Sequence, residues 1–160
     1  MIRQFATFRL GDGLFGVDVL LVREINQQMD ITPAPLASSW VRGLINLRGQ
    51  VVTVFDLRVR LGMPAEETTE ASHILILKTE AELALLRARE NNAALRTCED
   101  MIGLLVDDIG DVVEMDESEI EPPPANAGGV EGRFVQGVVK LEGELMLVLK
   151  IQEVLALDRE

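Results

Sequence analysis

Two stretches of this chain align without a gap. "WVRGLINLRGQVVTVFDL" (Trp40 to Leu57) matches "FVQGVVKLEGELMLVLKI" (Phe134 to Ile151). Val41 falls on Val135, Gly43 on Gly137, Leu47 on Leu141, Gly49 on Gly143 and Val54 on Val148. Other echoes keep the same order: Val17-Asp18 with Val106-Asp107, "ITPAP" (31–35) with "IEPPP" (120–124), and "QFATFRL" with "SHILILK". An internal repeat of this kind constrains the fold more than any composition. It predicts one domain over 1–160, built from two related halves near 1–70 and 71–160.

Each half is rich in strand signals. "QFATFRL" alternates apolar and polar residues, and "GDG" (Gly11 to Gly13) turns it into "LFGVDV" as a hairpin. "VVTVF" and "LMLVL" are short continuous apolar runs, as expected of strands buried on both faces. Short helical pieces are expected after Asp18, in "VLLVREIN", and near Ser38 or Ser39. Many short strands per half suggest a mostly β chain of two small closed barrels, because closure removes sticky edges.

The halves differ between "HILILK" and "MIGLLVD", where "TEAELALLRARENNAALRTCED" intervenes. Thr79 followed by Glu82 is a capping-box pattern, and Ala, Leu, Arg and Glu favour helix after it. Asn91-Asn92 weakens the middle. This predicts a helical or partly helical arm over 79–100, with a long β-arm as the alternative. "EMDESEIEPPP" reads as an acidic loop or one helical turn, and "GVEG" (Gly129 to Gly132) as loop.

The repeat also supplies a control. Gly49 and Gly143 occupy equivalent tips, and both fit a turn that needs positive φ. Gly43 and Gly137 join them as structural turn glycines. The residue before each tip glycine is Arg48 in one copy and Glu142 in the other. A fold that accepts either charge leaves Arg48 exposed and free for contact, and a guanidinium offers five donors to carboxylates or carbonyls.

Several function classes are disfavoured. The net charge is −12 over 160 residues, with no basic patch for nucleic acid or for an anionic membrane. No apolar run reaches the ~18 residues of a spanning helix, and the start "MIRQFATFRLGDG" carries no signal h-region. The lone Cys98 forms no internal disulfide, which fits a reducing cytosol. One His (His73) and one Cys do not make a metal site. A small acid/base enzyme using Asp107 or His73 has no partner motif behind it. Asp107, Asp108 and Asp111 lack the spacing of a calcium loop and read as a solvated acidic strand end. No cofactor is expected.

"VRGLINLRGQVVTVFDLRVRLG", Phe15-Gly16-Val17-Asp18, "VREI", "IGLLVDDIGDVV" and "GVVKLEGELMLVLKIQEVL" closely resemble the signature of bacterial chemotaxis coupling proteins, the CheW family. The resemblance covers nearly the whole chain. It implies two SH3-like five-stranded β-barrels packed together. It also implies a non-enzymatic adaptor coupling chemoreceptor (methyl-accepting chemotaxis protein) cytoplasmic tips to the regulatory domain of the histidine kinase CheA, in cytoplasmic arrays at the inner face of the membrane. A CheW-type regulator of another kinase pathway is the alternative. By the same resemblance, Arg48 of "NLRG" with Val22 and Glu24 would form the receptor contact, and Gly103 of "GLLVD" would bear on coupling. The chain departs from the family at Thr53, where proline is usual, and in the length of the 79–100 arm.

Overall fold

The computed structural model describes residues 1–27, 30–34, 37–90, 95–124 and 130–156. Pro35, Asn91, Asn92 and Gly129, each part of a pattern read above, lie outside the described residues.

Ten strands form two five-stranded sheets. The first repeat supplies β1 (Ile2–Leu10), β2 (Gly13–Asp18), β3 (Val22–Gln27), β4 (Val41–Leu47) and β5 (Gln50–Asp56). The second supplies β6 (His73–Leu77), β7 (Ile102–Val106), β8 (Asp108–Asp116), β9 (Val135–Leu141) and β10 (Glu144–Leu149). The sheet orders are β8-β1-β2-β10-β9 and β3-β6-β7-β5-β4. Ranked within its own repeat, each sheet therefore reads third, first, second, fifth, fourth. The first and second strands always come from the opposite half to the other three. The repeat unit and the SH3-like barrel are not the same object, so the two expected barrels do not coincide with the two halves. The lone parallel contact in each sheet, β2 with β10 and β5 with β7, is the joint where the exchanged hairpin meets its host.

The exchange explains the apolar runs. In β6, Ile74 and Ile76 fill one barrel with Val52, Val54, Ile45 and Leu105. The alternate residues Leu75 and Leu77 face a third core between the barrels, with Phe8, Phe15, Val17, Phe55 and Leu104. The other barrel holds Phe5, Leu14, Met115, Val139, Met146 and Val148. A strand with core on both sides has no reason to alternate. Where that second core ends, so does the burial: Val51 and its counterpart Leu145 are 61% and 53% exposed, so "VVTVF" and "LMLVL" are double-faced only in part.

Gly43 and Gly137 are not turn residues. They sit inside β4 and β9 at sister bulges. At Gly43 a Cβ would lie 2.2 Å from the Thr32 oxygen, and at Gly137 2.8 Å from the Glu121 oxygen. Thr32 pairs with Leu44 and Glu121 with Val138 across these points, so glycine is required by the crossing backbone. Thr32 of the "ITPAP" echo and Glu121 of the "IEPPP" echo are the two crossing points.

Other local readings shift as well. After Asp18, which accepts from Leu20 N–H at 2.9 Å, the helix is a single 3₁₀ turn over Val19–Leu21. "VREIN" continues as β3, because its side chains alternate across the sheet. Near Ser38 there is a turn, closed by Val41 N–H to Ser38 O. The acidic loop holds one 3₁₀ turn, Glu117–Glu119, boxed by Asp116 and Glu119.

The arm is helical in its first part. Helix α2 spans Glu80–Glu90 and follows the short α1 (Leu57–Arg60) in chain order. The Thr79 N–H donates to Glu82 and the Glu82 N–H to Thr79, a reciprocal capping box. The returning chain is tied back by Thr97 N–H to Glu80 at 2.6 Å and by Arg87 to Leu95 O at 2.8 Å. Leu83 and Leu95 join the inter-barrel core.

Arg60, at the end of α1, sits on the pseudo-twofold relation. It is 5% exposed. Its guanidinium lies 4.5 Å from the Trp40 ring and 5.1 Å from the Phe134 ring, which are repeat counterparts. Its Nε donates at 2.7 Å to the carbonyl of Val154, its own counterpart, at the end of α3 (Ile151–Val154). Burial pushes its pKa down, but carbonyl oxygens at a helix C-terminus are what a desolvated cation needs.

Because each barrel needs strands from both halves, fragments 1–70 and 71–160 made separately are expected to lack the circular dichroism and cooperative unfolding of the whole chain. Mixing them should restore both. A fragment that folds alone would show that the hairpin exchange is dispensable.

Candidate functional site

The sheet β3-β6-β7-β5-β4 has β3 and β4 as its two edges. The tip of the β4–β5 hairpin reaches from one edge toward the other. Arg48 at that tip places Nη2 2.7 Å from both carboxylate oxygens of Glu24 on β3. Asn26 steadies the same carboxylate at 3.3 Å. The Arg48 side chain is 66% exposed, so the pair lies on the surface, yet the guanidinium is not free as expected above. Its partner comes from the chain itself. Glu24 is held below the usual carboxylate range, chiefly by the Arg48 hydrogen bond.

The backbone at Arg48 is unusual. Among the described residues it is the one non-glycine with positive φ, at 52°, followed by Gly49 at 88°. Two successive left-handed residues define a type I′ turn, whose twist matches the strands it joins. The conformation costs a non-glycine residue roughly 1–2 kcal/mol. In the sister turn only Gly143 is left-handed, at 85°, and Glu142 is not. The two tips share a glycine but not a backbone. Equal tolerance of Arg and Glu therefore does not follow from the repeat.

Val22 lies at the start of β3, half-buried against the inter-barrel core. A bulge separates it from Glu24 and leaves Arg23 unpaired. Arg23 turns outward to Glu82 of α2 at 3.5 Å and to Met101 Sδ at 3.7 Å. The arm thus braces the strand that carries Val22 and Glu24.

Gly103 is not on the surface. It pairs with Ile76 on one side and Val54 on the other, and Ile76 pairs with Glu24. A Cβ there would sit 2.6 Å from Ile74 Cγ2 and 3.2 Å from Ile76 Cδ1. Gly103 is buried within the row of paired residues that ends at Glu24.

The acid/base candidates are engaged elsewhere. Asp107 accepts from Arg58 Nε and Nη2, and from Gly11 N–H at 2.7 Å, so it is a structural ion pair rather than a solvated strand end. Burial raises its pKa, but these donors together outweigh burial and hold it below the usual range. His73 opens β6, with Nδ1 2.7 Å from Ala71 O. The Cys98 thiol is pushed up by burial. Among the described residues no group of three or more His, Cys, Asp or Glu could hold a metal, and no helix is long and apolar enough to cross a membrane.

The CheW-like domain model matches residues 4–159. The chain belongs to the CheW family. "Chemotaxis protein CheW" of Rhizobium meliloti (strain 1021) is 34% identical over 152 residues, covering 95% of this chain and 86% of that relative. The Bacillus subtilis (strain 168) protein of the same name is 30% identical over 157 residues, covering 98% and 88%. The crystal structure of the scaffolding protein CheW from Thermoanaerobacter tengcongensis superposes with a TM-score of 0.80 at 26% identity, covering 100% of this chain and 92% of that one.

Sequence reasoning missed Asn26, Arg23 and Asn46, all of which shape this CheW-like site. Asn46 was visible: the alignment column pairs it with Lys140, which has donors but lacks the amide's acceptor beside the tip. Asn46 Oδ1 accepts from Gly49 N–H at 2.9 Å.

Three outcomes are expected. By NMR titration, the Glu24 carboxyl of the wild type ionises below the ordinary range and returns to it in Arg48→Ala. The native contribution of Asp107 is present above its unfolded pKa of ~3.9 and lost as pH falls through its lower folded value. The stability gap between wild type and Asp107→Asn should therefore close in acid below about pH 3–4. Separately, Gly103→Val overpacks the barrel and should cost about 1–3 kcal/mol in urea unfolding.

Proposed function

We propose that this chain is a non-enzymatic adaptor that couples chemoreceptor cytoplasmic tips to the regulatory domain of the histidine kinase CheA, in arrays at the inner face of the membrane. Val22, Glu24 and Arg48 form the receptor contact in this reading. The observation that carries it is the Arg48–Glu24 pair. An exposed guanidinium is held in a costly backbone conformation at the one tip where the repeat does not require it. A non-glycine residue at positive φ, where the sister tip does without one, is a pointer to a working residue. β3 also carries the half-buried Val22 and the exposed Ile25 on the face opposite Glu24, so the same sheet edge combines apolar surface with the charged pair, the mixture a selective contact uses. Gly103 bears on coupling through the row of paired residues that ends at Glu24. Family membership and relatives named as chemotaxis proteins support the same reading.

The test is reconstitution with a receptor signalling fragment and CheA, following kinase autophosphorylation. The complete mixture is expected to activate the kinase, and omission of this chain to abolish activation. Arg48→Glu sets two carboxylates against each other and should weaken receptor binding by about 2 kcal/mol or more, with CheA affinity unchanged. Receptor affinity that survives this change would remove Arg48 from the contact.

A further inference from the structure

The two sister hairpins contain the same glycine and adopt different turns, so glycine does not choose between them. One side chain next to each tip bonds differently. In β4, Asn46 Oδ1 accepts from the Gly49 N–H at 2.9 Å, bracketing Leu47 and Arg48 between donor and acceptor. In β9 the same place holds Lys140, which has donors only and points toward Glu121 at 3.7 Å. The turn with the bracket has Arg48 and Gly49 both left-handed, and the turn without it has Gly143 alone. An Asn side chain bonding a nearby backbone N–H is a recurrent way to favour a local turn over its alternatives. The type of turn decides where the first tip side chain points, because φ at that residue changes sign.

We propose that Asn46 is a positioning residue for the receptor contact: its bond to Gly49 holds the 47–50 turn in the doubly left-handed form and so aims Arg48 across the open edge at Glu24. The consequence for binding rests on the adaptor reading above; the consequence for the turn does not. Asn46 itself is exposed on the outer face of β4 and packs in no core, so its loss leaves the barrel interior untouched.

The experiment uses the full chain with Asn46→Ala, which removes the acceptor, and Asn46→Lys, which copies the sister hairpin. NMR couplings and nuclear Overhauser effects report the Arg48 backbone, the Glu24 titration reports the ion pair, and calorimetry with a receptor signalling fragment reports affinity. In both variants Arg48 is expected to leave the left-handed region and Glu24 to titrate in the ordinary range. Receptor affinity should fall about tenfold, equivalent to ~1.4 kcal/mol. In an Arg48→Ala background the same changes at Asn46 should cost no further affinity, and Asn46→Asp, which keeps an acceptor, should retain the wild-type turn. Arg48 staying left-handed in Asn46→Ala and Asn46→Lys would overturn the proposal. So would failure of both variants to fold, since Asn46 would then be holding the barrel and not the turn. A turn that changes with receptor affinity intact would count against Arg48 as a receptor contact while leaving the role of Asn46 in the turn standing.

Discussion

Neither half of this chain can finish a sheet by itself. Each barrel takes its first hairpin from one repeat and its remaining three strands from the other. The exchange makes the two barrels a single cooperative object and creates the largest of the three cores, the layer between them. It also places the joints where parallel strands meet, β2 with β10 and β5 with β7, at the middle of each sheet and not at an edge. Long-range pairing of this kind is slow to form and hard to break piecemeal.

Approximate symmetry then supplies places where it must be broken. Arg60 is the clearest. It lies between counterpart rings and donates to its own counterpart, so a second arginine in the same place would collide with it, and Val154 stands there instead. A buried guanidinium with no carboxylate partner among the described residues is tolerated because aromatic faces and terminal carbonyls of α3 surround it. The second break is at the hairpin tips. Asn46 and Arg48 replace Lys140 and Glu142, the turn changes type, and the arginine meets Glu24 across the edge of the sheet. Both breaks concern a single arginine, and they serve different ends. One locks the barrels together, and the other presents a cation to the outside.

Much of this was legible beforehand. The repeat, the hairpins at Gly11–Gly13 and Gly49, the capping box at Thr79 and Glu82, and the family signature could all be read from local pattern. What could be misread was also systematic. Gly43 and Gly137 looked like turn residues because a glycine in sequence does not say whether φ or a crossing backbone requires it. Asp107 looked solvated because its partner, Arg58, is remote in sequence. Arg48 looked free because Glu24 lies on a strand that the hairpin reaches only after folding.

The sequence by itself determined most of the strands, the glycines at the hairpin tips, the related halves and membership of the CheW family, because these depend on short-range period, turn chemistry and motif. Tertiary structure alone decided which half lends its hairpin to which barrel and which acid answers which arginine. Strand periodicity says which face of a strand is apolar but not which neighbour it meets. An ion pair needs two groups within ~4 Å of each other, and residues far apart in the chain acquire that closeness only when the sheet has formed.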